Sequence, residues 1–336
     1  MRRDGQGDGA DRRQGVPGLP GLVRSVRSAG PAGLPHHRAD PGPARCLAGD
    51  TPVLLAGGRT RPIAELAVGE EVFGTRGGRF VVTRVRAHWK ATRPAYRLTL
   101  GDGTQVVASG DHRFLTDEGW RHLTPGRCED AGERPHLVRG ARLVGTGRFA
   151  APPAHLAEYR RGYLWGAVRG GPSCDPDVLA RLREFGGGRV PRDVDLAEPG
   201  AGPGDEWSKG FLAGLFDARG SSAGGELVLS SSDGAVFDAA VRALLRLEVP
   251  HAVEVRGVRV VGGLAARLRF LHLIGPVLAR GSAVEDVAVP VTPGLEVVSV
   301  EWLGTSRALY DITTGTGDFV ANGLISHNCS GGDPRG

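Results

Sequence analysis

The chain has 336 residues, a hydrophobic content of 40% and a formal net charge of +5 at pH 7. A chain of this length and apolar content can bury the cores of two domains, which excludes disorder throughout. Residues 1–45 contain eight Arg and four Asp, so a charge of about +1 remains for the rest of the chain. A basic nucleic-acid-binding surface along the whole chain is therefore not indicated.

The sequence carries no membrane or export signal. No apolar run reaches the roughly 18 residues of a membrane span, and the Arg-interrupted N-terminus lacks the apolar core of a signal peptide. We therefore expect a cytoplasmic protein with no membrane partner. In that reducing compartment the four Cys are expected to be thiols, not disulfides: Cys46, Cys128, Cys174 and Cys329.

Residues 1–45 form the first predicted segment. They are rich in Gly, Pro and Arg, as in "GVPGLPGL" and "PAGLPHHRADPGPAR". No sustained apolar period of 2 or 3.6 residues runs through them, which predicts a disordered tail. Ordered sequence begins abruptly at Cys46.

Residues 46–149 are predicted to be β-rich. Short apolar runs alternate with turn signals in "TPVLLAGG", "EEVFG", "RFVVTRVRAHW" and "AYRLTLGDGTQVVAS". The Asp-Gly pair at Asp102 and Gly103 predicts a hairpin turn. A second β-rich stretch covers residues 291–328, and the two stretches together predict one mainly β domain in two halves.

Residues 150–290 interrupt that domain, and their apolar period is helical. Two segments, "RGYLWGAVRGG" and "KGFLAGLFDARG", each place a small residue at every fourth position: Gly162, Gly166, Gly170, Gly210, Gly214 and Ala218. Such residues share one helix face, and their size lets two helices approach closely. We expect an inserted α/β domain built on this helix pair.

The last β-rich stretch ends in three adjacent reactive residues, His327, Asn328 and Cys329, followed by only a few more residues up to 336. Catalytic groups usually come from distant parts of a fold, where packing orients them. Three neighbours act most easily on the backbone that joins them. The triplet therefore suggests chemistry on the chain itself.

Three sets of motifs resemble an intein. "CLAGDTPVLLAGGRTRPIAELAVGEEVFG" is similar to the opening block of that family, "VVASGDHRFLTDEGW" to its second block and "ALYDITTGTGDFVANGLISHNC" to its two closing blocks. The resemblance implies a self-splicing domain of the Hint fold, a pseudo-symmetric β horseshoe, from Cys46 to Asn328. Residues 1–45 and 329–336 would then be extein segments of a host protein, and no cofactor or metal is implied.

Cys46 is the candidate first nucleophile. Its thiol can reach the carbonyl of Arg45 through a five-membered ring and convert that amide into a thioester. The competing interpretation is a buried core Cys, since Cys is among the most buried residue types. Its place at the first residue of ordered sequence favours the nucleophile.

By resemblance, Ser109 and His112 assist this acyl shift. The hydroxyl, where the family usually has Thr, would orient the peptide group, and the imidazole would donate a proton to its nitrogen. A lone His is more often a surface or core residue, so the motif position carries this assignment. Asp311 matches an acidic family residue thought to tune the thiol, although a turn-forming Asp at a strand end is the alternative.

The later steps fall to the triplet. Cys329 would take over the upstream segment, and Asn328 would cyclise onto its own carbonyl while His327 polarises that carbonyl. Where the family often has a His that assists the last cut, this chain has Asp318. An Asp is anionic at neutral pH and cannot supply the same proton.

"LAGLFDARG" resembles the signature helix of the LAGLIDADG homing endonucleases, and "YLWGAVRGG" matches it weakly. In that family each of the two helices delivers one acidic residue to divalent metals. Here those positions hold Gly171 and Arg219, which supply no carboxylate, so no metal site is expected. Asp217 lies two residues earlier, on another helix face. The resemblance implies a folded but cleavage-deficient domain and leaves DNA binding open.

Three functions therefore compete: autocatalytic splicing, an active DNA endonuclease, and a Hint domain that cleaves itself without ligating. The terminal Asn followed by Cys favours splicing over cleavage alone, and the missing carboxylates argue against the endonuclease. The flanking sequences identify no host protein.

Overall fold

The computed structural model divides the chain into two units, Met1–Pro41 and Gly42–Gly336. The residues that it describes are 45–128, 132–193, 196, 202–222, 226–255, 257–278 and 284–328. The expected disordered tail lies outside these residues, apart from Arg45. Cys329 and the rest of the C-terminal flank also lie outside them.

The described strands are β1 (Leu47–Ala48), β2 (Pro52–Leu54), β3 (Thr60–Pro62), β4 (Glu71–Arg76), β5 (Arg79–Leu100), β6 (Gln105–Ser109), β7 (Arg113–Thr116), β8 (Gly119–His122), β9 (Arg127–Cys128), β10 (Gly132–Glu133), β11 (Gly220–Ser221), β12 (Leu227–Ser230), β13 (His251–Glu254), β14 (Gly257–Val260), β15 (Val297–Thr314), β16 (Asp318–Ala321) and β17 (Leu324–His327). The helices are α1 (Ala157–Gly170), α2 (Pro176–Phe185), α3 (Asp205–Arg219), α4 (Gly234–Arg246) and α5 (Gly263–Ile274). The expected mainly β fold is confirmed, with the helices confined to the middle of the chain.

The first sheet has the strand order β15, β1, β6, β5, β4, with β5 also paired to β15. The predicted hairpin joins β5 to β6: Gly103 has φ +80°, and the Asp102 carboxylate accepts a hydrogen bond from Thr104 N–H at 2.8 Å. The short strand β1 lies between β6 and β15. Pairing with both β6 and β15 therefore fixes the backbone immediately after Cys46.

Strand β5 differs from the prediction, which divided it into two runs. It continues for 22 residues through Pro94, which pairs with Ser306 of β15. The register shifts between Trp302 and Ser306, beside that proline. Pro has no N–H to donate, and a local irregularity in the partner strand accommodates it without ending β5.

The second sheet has the order β3, β2, β16, β17, β7, β8. Its central hairpin, β16–β17, turns through Asn322 and Gly323, which have φ of +47° and +79°. This Asn-Gly turn with two positive φ values suits the twist of a tight hairpin. A Cβ on Gly323 would lie 2.0 Å from the Gly147 carbonyl oxygen, so only Gly fits there. The turn fixes the strand that carries the C-terminal reactive residues.

Helices α1 and α3 pack through the small residues that the sequence singled out. A Cβ on Gly162 would lie 2.1 Å from the Trp207 carbonyl oxygen, and one on Gly214 would lie 2.1 Å from the Tyr163 carbonyl oxygen. The backbones therefore touch at these positions, and any side chain would separate the helices. The aromatic side chains beside the seam, Trp165 and Phe211 among them, form the buried core of this part.

Asp217 of α3 is buried. Its carboxylate accepts hydrogen bonds from the Tyr163 hydroxyl and from the N–H groups of Val277 and Leu278, each at 2.8 Å. Burial raises the pKa of Asp217, an effect that these donors oppose. The residue therefore ties α3 to α1 and to the chain beyond α5. No helix in the described ranges is long and apolar enough to span a membrane.

Candidate functional site

Cys46 is completely buried at the start of β1. Its N–H donates to the Ser109 hydroxyl at 3.0 Å, and Ser109 N–H donates back to the Cys46 carbonyl at 2.8 Å. The nitrogen of the Arg45–Cys46 peptide bond is therefore held by the hydroxyl that the sequence motif indicated. This contact fixes the orientation of that peptide.

Asp311 lies on the other side of Cys46. Strands β1 and β15 pair Leu47 with Tyr310 and Ala48 with Leu309, and the antiparallel register continued by one residue sets Cys46 opposite Asp311. The Asp311 side chain is fully buried and accepts a hydrogen bond from Ile312 N–H at 2.8 Å. The structure thus brings the two residues onto adjacent strands.

His112 follows β6 in a tight turn, with its N–H donating to the Ser109 carbonyl at 3.0 Å. Its ring is fully buried and packs on Phe114. Burial lowers the pKa of His112 to about 3, and the Arg45 backbone opposes this shift by accepting a hydrogen bond from the ring. The imidazole is therefore neutral at pH 7 and lies beside the peptide that Cys46 would attack.

Ser326 is a site residue that the sequence analysis missed. Its fully buried hydroxyl lies 2.6 Å from His112 Nε2, because β17 pairs with β7 and sets Ser326 opposite Phe114. The hydroxyl orients the ring, which leaves Nδ1 for the Arg45 peptide. Only the pairing of strands distant in sequence reveals this contact, so no local signal in the sequence marked Ser326.

Asn328 follows β17 and is 2% exposed. Its N–H donates to the Gly317 carbonyl at 3.1 Å. The side-chain amide fits with Nδ2 donating to that same carbonyl at 2.6 Å and Oδ1 accepting from Thr314 N–H at 2.7 Å. The amide is therefore held on both sides, and the Gly317 carbonyl orients its nitrogen.

The ring of His327 bridges Arg113 and the Asn328 backbone. Arg113 Nη2 lies 3.0 Å from Nε2, and Nδ1 lies 2.5 Å from the Asn328 carbonyl oxygen. Arg is only a donor, so Nε2 must accept and Nδ1 must carry the hydrogen. Burial lowers the pKa of His327 to about 4, and the Arg113 charge adds to that effect. A neutral ring thus donates to the carbonyl that Asn328 would attack.

The Asp318 carboxylate binds β4. Its carboxylate accepts from the N–H of Thr75 at 2.8 Å and from the Thr75 hydroxyl, and its own carbonyl accepts from Thr314 and Thr316. The side chain fastens β16 to β4.

Gly171 and Arg219 lie together at the ends of α1 and α3, as the helix alignment predicted. Arg219 Nε donates to the Gly170 carbonyl at 2.7 Å, and its guanidinium covers Gly171, whose φ is +121°. The guanidinium of Arg219 therefore lies beside Gly171 at the ends of the two helices. Within the described residues, no group of three or more His, Cys, Asp or Glu side chains could hold a metal ion.

Comparison with known proteins gives partial matches. No protein-family model matches the chain. A replicative DNA helicase DnaB from Rhodothermus marinus is 38% identical over 134 residues, which are 34% of this chain and 14% of the helicase. DnaB from Mycobacterium leprae (strain TN) is 33% identical over 162 residues, 46% of this chain and 25% of that protein. The chain therefore matches a quarter or less of each relative.

Among solved structures, a DnaB intein from Synechocystis sp. PCC 6803 aligns with 85% of this chain and 99% of its own, at 12% identity and a TM-score of 0.35.

Proposed function

We propose that the chain is an intein that splices itself out between Arg45 and residue 329. One observation carries the proposal: the turn from Ser109 to His112 contacts the first peptide bond through the Cys46 N–H, and its His112 ring contacts Ser326, two residues before Asn328. The intein-like motifs at both ends of the chain support it independently. One short turn thus contacts the segments next to both proposed junctions.

In the proposed first step, the Cys46 thiol attacks the Arg45 carbonyl carbon. The C–S bond forms, the C–N bond breaks, and the amine nitrogen of Cys46 gains the thiol proton. His112 suits the relay because a neutral imidazole has a ring nitrogen that can accept the thiol proton, after which the ring can donate a proton. Its low pKa, caused by burial, makes the resulting imidazolium a strong acid toward the departing nitrogen. Asp311, opposite Cys46, is the proposed tuning group of the thiol.

The following steps belong to the C-terminal junction. The Cys329 thiolate attacks the thioester and takes over residues 1–45. Asn328 Nδ2 then bonds to its own carbonyl carbon, the bond to Cys329 breaks, and the Nδ2 proton leaves with the new amine. His327 donates to the carbonyl oxygen on which negative charge develops. A final sulfur-to-nitrogen shift joins Arg45 to Cys329, and no step consumes a cofactor.

We propose a DnaB-type replicative helicase as the host that supplies the flanking segments. The support is the identity of 38% and 33% with parts of two proteins named DnaB, of which this chain matches only 14% and 25%. An element inserted into a host protein would match only a limited part of a relative that carries a similar insertion. The splicing element would consist of residues 46–149 and 291–328.

The proposal predicts that the purified chain of 35.2 kDa converts with time into two products. One is the excised segment 46–328, and the other is residues 1–45 joined to 329–336. Intact-mass spectrometry detects both. In the Asn328→Ala variant the last cut cannot occur, so ligated product should be absent. A hydrolysed N-terminal segment without any ligated product would instead support the cleavage-only alternative.

For the inserted domain, residues 150–290, we propose a LAGLIDADG-like fold without nuclease activity. The support is the Arg219 guanidinium over Gly171, where metal binding would require carboxylates. The close packing of α1 and α3 is kept, so the domain can fold without the metal site. Whether it binds DNA is a separate question from whether it cuts DNA.

We expect no double-strand cleavage of DNA carrying an uninterrupted host site, in Mg²⁺ or Mn²⁺, by agarose electrophoresis. Restoring Asp at positions 171 and 219 is not expected to rescue cleavage, because φ of +121° at Gly171 disfavours any side chain. Specific cleavage by the unmodified chain would contradict the proposal and establish the endonuclease as a second activity.

A further inference from the structure

We propose that Arg45, a residue of the upstream flank, is a catalytic residue for the final cut at Asn328. This inference rests on the proposed splicing function and assigns a residue outside the splicing element to it. The Arg45 guanidinium lies at the opposite junction from its own backbone: Nη1 is 3.3 Å from the Asn328 carbonyl oxygen and 3.3 Å from His327 Nδ1.

The hydrogen-bond pattern assigns the Arg45 donor to the carbonyl. His327 Nε2 accepts from Arg113, so Nδ1 carries a hydrogen and has no lone pair for a second donor. Between these two contacts of Arg45 Nη1, only the Asn328 oxygen can accept a hydrogen bond. That oxygen therefore faces two donors, the neutral imidazole of His327 and the charged guanidinium of Arg45.

The charge gives Arg45 a role that the imidazole lacks. When Nδ2 attacks the carbonyl carbon, the oxygen acquires negative charge, and a donor already in place stabilises that transition state. His327 is neutral at pH 7, because burial lowers its pKa to about 4. Hydrogen bonds from a cation to an anionic oxygen are roughly twice as strong as neutral ones. Arg45 thus supplies the charged half of the oxyanion site.

This arrangement couples the two junctions. During splicing, the acyl group of Arg45 moves to Cys329, which is bonded to Asn328, so the guanidinium stays close to the carbonyl. If water hydrolyses the thioester first, Arg45 leaves with the released segment and the carbonyl loses a donor. The last cut is therefore faster while the upstream segment remains attached, which limits premature separation of the products.

The test uses the full chain with Cys46→Ala, in which the first junction cannot react and Arg45 always stays attached. Release of residues 329–336 is followed by intact-mass spectrometry. Arg45→Met should slow this release by about 10- to 10²-fold. This effect is smaller than that of removing a fully buried oxyanion donor, because the 3.3 Å contact is long and partly exposed. Arg45→Lys should recover part of the rate, and the exposed Arg84→Met should leave it unchanged.

A Met variant that reacts at the parent rate overturns the inference, as does an equal loss in the Lys and Met variants. Complete absence of release in the Cys46→Ala parent would overturn the proposed function, and the inference with it. A second readout requires no cleavage. With Asn328→Ala also present, Arg45→Met should raise the pKa of His327 in an NMR titration, since the nearby cation disappears. An unchanged pKa would contradict the contact.

Discussion

Replacing Cys46 with Ala is expected to abolish cleavage after Arg45 while the reaction at Asn328 continues. The thiol is the only proposed acyl acceptor at the first junction, so its removal leaves the amide intact. Cyclisation of Asn328 uses its own amide nitrogen and the donors on its carbonyl, none of which belongs to Cys46. Mass spectrometry should find residues 1–45 attached to 46–328, with only the C-terminal flank released.

Cys174 offers a matched control for this experiment. It is an exposed Cys between α1 and α2, and Cys174→Ala should splice like the parent chain. Thermal unfolding of Cys46→Ala checks that loss of a buried sulfur beside Leu309 has not disrupted β1. Release of residues 1–45 at the parent rate by a folded Cys46→Ala chain would exclude Cys46 as the nucleophile.

Short sequence patterns predicted the elements whose conformation depends mainly on residues close together in the chain. The Asp102-Gly103 hairpin forms because that pair readily adopts the required backbone. The α1–α3 seam forms because small residues at every fourth position create one smooth helix face. The triplet at residues 327–329 was conspicuous because reactive side chains rarely stand side by side. In each case the information lies within a few residues of the chain.

The remainder of the site depends on pairing between distant strands. Ser326 meets His112 only because β17 lies beside β7, and Arg113 reaches His327 across 214 residues of sequence. The Arg45 side chain was unremarkable in a tail rich in Arg, and its contact with Asn328 requires both junctions to meet. Strand β5 was likewise predicted as two runs, and the irregular pairing of β15 beside Pro94 lets it continue as one strand. These contacts are tertiary, so periodicity and spacing could not reveal them.

His112 is the residue whose loss should most slow the first step without removing a reacting atom. His112→Ala is expected to reduce thioester formation by roughly 10²- to 10⁴-fold, the usual contribution of a general acid or base. Dithiothreitol intercepts thioesters, so the rate at which it releases residues 1–45 measures the step directly. His272→Ala is the matched control, because His272 is also buried and also has a pKa lowered by burial, yet belongs to α5.

A pH series separates this chemical role from a structural one. Folding lowers the pKa of His112 from 6.5 to about 3, so between these values the unfolded chain binds a proton that the folded chain does not. Stability from this residue is therefore complete above about pH 6.5 and decreases as the pH falls toward 3. His112→Ala should lose less Tm than the parent between pH 7 and pH 5. If the Ala variant shows that smaller decrease in Tm but releases residues 1–45 with dithiothreitol at the parent rate, His112 is a buried neutral residue that takes no part in the acyl shift.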